Sequence, residues 1–518
     1  MKDLCFLDRI RGMKRVDFMR FKKLVSFVSS MMLVLSPMHI YAQDSVYAID
    51  DNGVSYTTIE SAWSAACSGT QIYLSSDWDL DSKLEVASNE NVTIDLNGHK
   101  LDRQLTDYES DGQVISIGEN ASLTLNGSVE RTFTLQDTDL TIGGIVTGGM
   151  SNNSGGGIQL SQGSVLNLNH VGIVGNSAGG VSPNGGGIQI TGSNCVLNMK
   201  NGSIISYNDS KSLGGGIYVG GDNASISMSN SSISNNTANN GGGIYSYYAG
   251  TNIILNENST IDKNLASYSG GGIYFKASNS SLNSDDETGK ICENAAGVED
   301  SNHNSYGGGL YYDLSSEENN TASIQNISFE NNVVKDGNGG AIYSGINRLQ
   351  ISNSTFTSNS SAQGGAIFID ANKNIVSDCT ISNNIATDSG GAIYVNDEYS
   401  LGIEGQCTIK DNQENDIYLS KNAYVSGTPD EGSSVGLYGS ENGKIAMNQT
   451  KNNDTYFLDN ADGYSLEYHD GQLYQEINSN TGSVFGNGNT YVIGFVILCI
   501  CAVAAFAYEI QKNKKTNS

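Results

Sequence analysis

The chain has 518 residues, of which 38% are apolar, with 62 Gly and only 3 Pro. The apolar content argues against general disorder, and the scarcity of proline excludes a collagen helix. The formal net charge of −28 disfavours nucleic acid and anionic lipid as ligands.

Residues 1–42 are predicted to form a signal peptide. They carry 8 Lys+Arg against 3 Asp+Glu. The basic stretch Met19–Lys23 precedes the apolar run LVSFVSSMMLVLSPM, and the small-residue exit IYAQ follows. This order is typical of a secretory signal with cleavage after Ala42, and an uncleaved anchor helix is the alternative. Either interpretation places the following residues outside the cytoplasm.

Residues 43–136 are predicted to form an N-terminal cap and the first strands of a β-structure. A short helix is expected over Thr57–Ala66, because Thr57 and Glu60 fit a capping box. One face of this helix is apolar and comprises Ile59, Ala62, Trp63 and Ala66. Alternating pieces such as VTIDLNGHKL, SLTLN and TFTLQ then predict strands, whose unpaired edges the helix would cover.

Residues 137–425 contain a repeat built from two motifs. Gly-Gly-Gly/Ala followed by Ile or Leu recurs at spacings of 25 to 37 residues, beginning at Gly155, Gly185, Gly214, Gly241, Gly270, Gly307, Gly339, Gly364 and Gly390. Ile/Phe-x-x-Asn keeps step with it and ends at Asn176, Asn208, Asn236, Asn264, Asn294, Asn332, Asn359, Asn384 and Asn412. A sustained period of this length indicates a repeat architecture.

One unit, residues 214–240, contains three strand-like pieces separated by Gly, Asn and Ser clusters. Three strands per unit predict one coil of a single-stranded parallel β-helix, and parallel crossovers favour a right-handed one. The glycines are expected at a corner that needs a positive φ. The motif asparagines are expected at another corner, in the left-handed conformation, with side-chain amides bonded from coil to coil.

The two motifs resemble the repeat of the polymorphic outer-membrane proteins, as in GGAIY at residues 339 and 390 and in FENN and FTSN at 329 and 356. More broadly, the chain is similar to adhesin-like β-helix surface proteins of the pectate-lyase superfamily. The resemblance implies a pectin-lyase-like all-β fold and display at the cell surface.

An aromatic residue follows the motif aliphatic residue in seven consecutive units. These residues are predicted to stack as an outward stripe that binds a ligand: Tyr218, Tyr245, Tyr274, Tyr311, Tyr343, Phe368 and Tyr394. The alternative is a ladder of rings that only stabilises the sheet.

The C-terminal part is divided by its composition. Residues 426–477 are predicted to form a β cap that includes a hairpin with its bend at Asp470-Gly471, and 478–490 form a polar tether. Tyr491–Tyr508 is an uncharged stretch that can span a membrane as a helix. The basic residues of 509–518 then place this tail in the cytoplasm, which predicts a single-pass surface protein with an extracellular N-terminal ectodomain.

Cysteine and histidine give little chemistry. Five His residues are scattered, and no nucleophile, phosphate-loop or metal-ligand motif appears, so no catalytic residue, metal or cofactor is predicted. Asp77, Asp79 and Asp81 share a strand face, which is interpreted as a solvated surface or a cation site. Cys379 and Cys407 take equivalent positions in neighbouring units and are predicted to be buried, reduced thiols.

The predicted function is that of a cell-surface adhesin or binding protein with a glycan or protein ligand. Two alternatives remain: a membrane-anchored polysaccharide lyase or hydrolase, and a passive surface stalk or coat. Grooves beside the aromatic stripe would favour binding, a grooveless Ser/Asn surface would favour the coat, and an acid cluster spanning two coils beside a basic residue would favour catalysis.

Overall fold

The computed structural model describes residues 46–135, 138–153, 155–180, 183–297, 304–313, 321–441, 443–447, 455–459, 464–470 and 472–477. The predicted signal peptide (1–42), tether (478–490), membrane helix (491–508) and cytoplasmic tail (509–518) lie outside these residues. In the ranges that are described, no helix has the length and apolar character needed to cross a membrane.

From Tyr47 onward the chain forms a parallel β-solenoid of the right-handed type with about 12 coils. The predicted all-β fold is therefore confirmed, but the prediction of three strands per coil is wrong. A full coil contributes four strands, each paired in parallel with its equivalents in the coils before and after. Most strands of the fourth ladder have only two residues, such as Ser177–Ala178, which is too few to show the alternation that identifies a strand.

Ladder 1 holds the strands that follow the glycine runs, with the residue after the aliphatic one on the outer face. Its strands are Leu84–Val86, Ile115–Ile117, Ile158–Leu160, Ile188–Ile190, Ile217–Val219, Ile244–Ser246, Ile273–Phe275, Leu310–Tyr312, Ile342–Ser344, Ile367–Ile369, Ile393–Val395 and Ile417–Leu419.

Ladder 2 holds the longest strands. They are Ile72–Leu74, Asn91–Asp95, Ser122–Asn126, Val165–Asn169, Val196–Lys200, Ser225–Ser229, Asn252–Asn256, Ser280–Asn283, Ala322–Gln325, Leu349–Ser352, Asn374–Ser377, Ser400–Glu404, Tyr424–Ser426 and Gly443–Met447.

Ladder 3 holds the strands that carry the Ile or Phe of the asparagine motif. They are Trp78–Asp79, Lys100–Asp102, Ile145–Thr147, Gly172–Val174, Ile204–Ser206, Ser232–Ser234, Thr260–Asp262, Lys290–Cys292, Ser328–Glu330, Thr355–Thr357, Thr380–Ser382, Thr408–Ile409 and Tyr456–Leu458. The strand Ser434–Gly439 pairs with members of both ladder 3 and ladder 1.

Ladder 4 holds the short strands between the motif asparagine and the next glycine run. They are Met150–Ser151, Ser177–Ala178, Asp209–Ser210, Thr237–Asn240, Leu265–Ser269, Ala295–Ala296, Ser305–Tyr306, Val333–Val334, Gly337–Asn338, Ser360–Gln363 and Ile385–Ser389.

The N-terminal end is closed by the predicted helix. Helix α1 (Ile59–Cys67) buries Ala62 and Ala66, and the strands Ala48–Asp50 and Ser55–Tyr56 pair beside it in antiparallel fashion. Its N-cap is Thr58, whose hydroxyl accepts a hydrogen bond from the Ser61 N–H at 3.2 Å. The predicted cap at Thr57 is therefore wrong by one residue.

Two hairpins depart from the parallel pattern. Arg131–Leu135 pairs antiparallel with Thr138–Ile142, so the TFTLQ piece is an insertion between ladder 2 and ladder 3 and was wrongly predicted as a coil strand. The C-terminal hairpin is confirmed, because Tyr464–His469 pairs antiparallel with Gln472–Ile477. The second strand also pairs with the last strand of ladder 2, which closes that end of the sheet.

The core is a column of apolar side chains from ladders 1, 2 and 3. The aliphatic residue of each glycine motif is fully buried, as at Ile217 and Ile393. Equivalent residues stack on one another, for example the rings of Phe329 and Phe356, whose centroids lie 4.8 Å apart at an interplanar angle of 2°. The period-2 alternation therefore assigned the inward positions correctly.

The glycine corner is confirmed. The first glycine of each run from Gly185 to Gly390 has a positive φ, between 61° and 74°. At Gly364 a Cβ atom would lie 2.3 Å from the carbonyl oxygen of Ile367, which no side chain permits. The corner is therefore closed to residues other than glycine for a steric reason as well as a conformational one.

The motif asparagines form an interior ladder, as predicted, and all nine are at most 8% exposed. From Asn176 to Asn412, each Nδ2 donates to the Oδ1 of the next asparagine at 2.9 to 3.2 Å. Their predicted left-handed conformation is wrong, because the positive φ belongs to the residue just before each one, such as Ser358 at 59°. The asparagine is selected for its amide and not for its backbone.

Candidate functional site

The seven predicted aromatic residues lie in one row on the outer face of ladder 1. Strand pairing places each directly beside the next, from Tyr218 to Tyr394. The row continues through Tyr418 and Tyr438, which we include in the aromatic stripe. Neighbouring ring centroids along the stripe lie 4.5 to 5.9 Å apart.

The sequence reasoning missed Tyr418 and Tyr438 because no glycine run precedes them. The signal that was available is the local pattern, IYL at 417–419 and GLYG at 436–439, which repeats the aliphatic-aromatic pair of the other units. These two residues define the C-terminal end of the stripe.

The expectation that the stripe is exposed is wrong for most of its predicted members. Tyr245, Tyr311, Tyr343, Phe368 and Tyr394 are between 3% and 8% exposed, whereas Tyr218 and Tyr274 are half-buried. The rings point away from the main core and form a separate apolar cluster. They cover one another, because the spacing between coils is close to the optimal distance for aromatic stacking.

Tyr306 covers the stripe from the side. Its ring centroid lies 4.5 Å from that of Tyr343 and 5.7 Å from that of Tyr311. It projects from ladder 4, immediately before a glycine run. The middle of the stripe is therefore largely covered by its own rings and by Tyr306.

Carboxylates accept hydrogen bonds from the stripe hydroxyls. Tyr274 and Tyr311 donate to Asp313 at 3.0 and 3.2 Å, and Tyr343 donates to Asp370 at 2.5 Å. Burial and these carboxylates both raise the pKa of the three tyrosines, with burial as the larger cause. The hydroxyls therefore stay protonated and act as donors.

The stripe opens into a cleft at its C-terminal end. The cleft has a volume of about 500 Å³ and is lined by Ser389, Glu414, Asn415, Tyr418, Tyr438 and Ser440. It lies next to the last strand of ladder 4, Ile385–Ser389, where the glycine runs have also ended. Burial is the main cause that raises the pKa of Tyr418. The cleft combines two partly exposed rings, an exposed carboxylate and several hydroxyl and amide groups.

An acid cluster beside basic residues spans the first two coils. Asp77 Oδ1 lies 3.1 Å from His99 Nδ1 and accepts a hydrogen bond from Arg131 at 2.7 Å, while Lys100 donates to Asp102 at 2.7 Å. Burial alone would raise the pKa of Asp77, but the hydrogen bonds from Arg131 and His99 outweigh it and lower that pKa. These charges hold the inserted hairpin against the solenoid.

The predicted aspartates Asp77, Asp79 and Asp81 do not form a cation site in the structure. Over the described ranges, no group of three His, Cys, Asp or Glu side chains is arranged to hold a metal ion. Asp77 is instead bonded to Arg131 and to the His99 ring. The acid cluster therefore has a structural explanation.

The family model of the Chlamydia polymorphic membrane protein repeat matches residues 326–345, 353–370 and 378–396. These are three consecutive coils, and each match contains the asparagine motif and a Gly-Gly-Ala run. No curated protein and no solved structure matches the chain. The resemblance predicted from the two motifs is thus confirmed, as a polymorphic membrane protein repeat folded into a β-solenoid.

Proposed function

We propose that the chain is a cell-surface adhesin, whose solenoid presents a ligand-binding surface at the ends of the aromatic stripe. The observation that carries this proposal is the cleft between Tyr418 and Tyr438. A rod that served only as a stalk needs no concave site, whereas binding sites are concave and combine apolar walls with a few polar groups. The matched repeat, named for a membrane protein, supports a place at the cell envelope.

The cleft has the chemistry of a polar ligand site. Tyr418 and Tyr438 offer ring surface and neutral hydroxyl groups. Glu414 offers a carboxylate that accepts hydrogen bonds, and Asn415 offers both a donor and an acceptor. Sugar hydroxyls and peptide backbone groups both require this mixture, so the ligand is a glycan or a protein segment on another cell or on the matrix.

Three sequence segments supply the rest of this proposal. Residues 1–42 direct export, Tyr491–Tyr508 crosses the membrane once, and the basic residues of 509–518 remain in the cytoplasm. The solenoid then stands outside the cell, joined to the membrane by the polar residues 478–490.

The passive coat keeps one specific observation in its favour. The middle of the stripe is covered by its own rings and by Tyr306, so most of its aromatic surface is withdrawn from solvent. Under this alternative the stacked rings act as a stabilising ladder, and the cleft is an accident of the last coils.

The test uses host cells that display the full chain, overlaid on immobilised glycans and matrix proteins. We expect retention of cells on at least one ligand, and a tenfold or larger loss of retention for the cleft variants Glu414→Gln and Tyr438→Ala. Glu85→Gln is the matched control, because Glu85 is an exposed carboxylate on the outer face of ladder 1 near the opposite end. Retention no greater than that of cells without the chain would refute the proposal.

A further inference from the structure

Two adjacent tyrosines stand out from the surface where the aromatic stripe begins. Tyr247 and Tyr248 are 36% and 47% exposed, and their ring centroids lie 4.9 Å apart at an interplanar angle of 60°. They occupy the bend after the ladder 1 strand Ile244–Ser246. Large aromatic side chains in this position lose hydrophobic stabilisation to water, so their exposure calls for an explanation other than folding.

The bend that carries the pair is held rigidly. The Tyr247 N–H donates to the Val219 carbonyl of the previous coil at 2.8 Å. Beneath the bend, the buried Ser246 and Thr251 hydroxyls lie 2.7 Å apart. Lys276, from the following coil, places its Nζ 4.5 Å from the centroid of the Tyr247 ring. The rings are therefore oriented before any ligand arrives, which lowers the entropic cost of binding.

On the other side of the pair lies the Gly220-Gly221 bend of the previous coil, in which Gly221 is buried. Strand register places Gly220 and Gly221 beside the two tyrosines, and a Cβ atom at Gly221 would lie 2.1 Å from the Gly192 carbonyl of the coil before. A Cβ atom at Gly220 would lie 2.6 Å from the Tyr218 ring, so that half-buried ring adjoins the glycines. The Tyr218 ring therefore covers Gly220, and Tyr218, Tyr247 and Tyr248 form an aromatic cluster that spans two neighbouring coils.

We propose that this aromatic cluster, formed by Tyr218, Tyr247 and Tyr248, is a binding subsite for neutral glycans. The inference rests on the proposed adhesin function and names the ligand class for one site. The C–H faces of a pyranose pack on aromatic ring faces, while its hydroxyls bond the phenol groups at the edge.

Size and charge exclude the other occupants. A stable protein interface buries about 800 Å² on each partner, far more than two tyrosines and a glycine bend provide. An acidic glycan would be repelled by a chain with a net charge of −28. The Lys276 ammonium group is not free to bind an acidic ligand and so to offset this repulsion, because it already lies over the Tyr247 ring.

The experiment measures binding of neutral and acidic oligosaccharides to the purified full chain in detergent micelles by titration calorimetry. The neutral probes are β-linked glucose, N-acetylglucosamine, mannose and galactose tetrasaccharides, and the acidic probe is tetragalacturonate. We expect the wild-type chain to bind at least one neutral probe and the Tyr247→Ala/Tyr248→Ala variant to lose affinity tenfold or more. The Tyr247→Phe/Tyr248→Phe variant keeps the ring faces and should stay within about threefold.

Tyr424→Ala is the matched control, because Tyr424 is also a partly exposed tyrosine beneath a lysine, with Lys444 Nζ 5.2 Å from its ring centroid. Its affinity for the neutral probe should be unchanged, and thermal unfolding confirms that each variant is folded. Binding of tetragalacturonate alone, binding of no neutral probe, or equal affinity of the double alanine variant would each overturn the inference. If cells displaying the chain are still retained on a ligand through the Glu414 cleft, the adhesin proposal survives that failure.

Discussion

Replacing one ladder asparagine tests whether the interior amide row holds the coils together. In Asn359→Leu, the Oδ1 atom that accepts from both the N–H and the Nδ2 of Asn332, each at 2.9 Å, is lost. Asn332 is fully buried, so no water replaces that acceptor. A buried group without its hydrogen bond costs about 1–3 kcal/mol. Leaving both Asn332 donors without an acceptor therefore lowers the free energy of unfolding by about 2–6 kcal/mol.

The neighbouring residue, Ser358, supplies the control. Ser358 is exposed but has a φ of 59°, so Ser358→Ala would strain the backbone, whereas asparagine occupies the same corner position at Asn331 and Asn383. Ser358→Asn should change the free energy of unfolding by less than about 0.5 kcal/mol. Urea denaturation followed by far-UV circular dichroism measures both variants. Equal losses in Asn359→Leu and Ser358→Asn would show that the ladder contributes no specific stability.

Three further predictions concern other parts of the solenoid. Cys379 and Cys407 are buried free thiols, and burial raises the pKa of Cys379 to about 12. A thiol reagent should therefore label both residues only after unfolding, and rapid labelling of the native protein at pH 8 would contradict their inward placement. Burial raises the pKa of Asp416 to about 6, so the stability that its protonated form provides is present below pH 4 and is lost as the pH rises through 6. The Asp416→Asn variant should therefore be more stable than wild type by up to about 3 kcal/mol at pH 7 and by nothing at pH 4. Parallel curves of stability against pH for the two proteins would refute this. Gly364→Ala should prevent folding or lower the melting temperature by more than 10 °C, because the added Cβ would meet a carbonyl oxygen at 2.3 Å. The control Ala366→Gly should lower the free energy of unfolding by only about 1 kcal/mol, and similar melting temperatures for the two variants would count against the corner geometry.

The sequence was sufficient to predict the fold wherever a signal repeats in every coil. Apolar alternation identified inward residues such as Ile217, and the glycine spacing identified the corner at Gly364. The two motifs also identified the family repeat, which the matches over residues 326–396 confirm. Nine repetitions make each of these signals far stronger than any single strand would.

The fourth ladder and the left-handed corner residue could not be predicted, because each depends on single residues and not on a repeated pattern. A strand such as Ala295–Ala296 is too short to show a period, so the fourth ladder was missed. The left-handed residue and the buried amide are neighbours, as at Ser358 and Asn359, and the sequence does not show which of the two bends the chain.

The candidate site was located on the correct face but with the wrong accessibility. Alternation predicts that Tyr343 points outward, and it does. Alternation does not predict that neighbouring rings and Tyr306 cover Tyr343. That burial follows from the stacking distance between coils and not from the direction of the side chain. Accessible aromatic surface therefore lies at the C-terminal end of the row, at Tyr438, and beside the row, at Tyr247 and Tyr248.

Because the asparagine row bonds each coil only to its immediate neighbours, the solenoid can change its length in whole units. Removing residues 360–384 would join Asn359 directly to Ile385 and leave an asparagine, a glycine run and a strand of every ladder in the correct order. Such a chain would be one coil shorter, by about 4.8 Å, with both ends unchanged. The length of the solenoid is thus adjustable in discrete steps, independently of the surfaces that it presents.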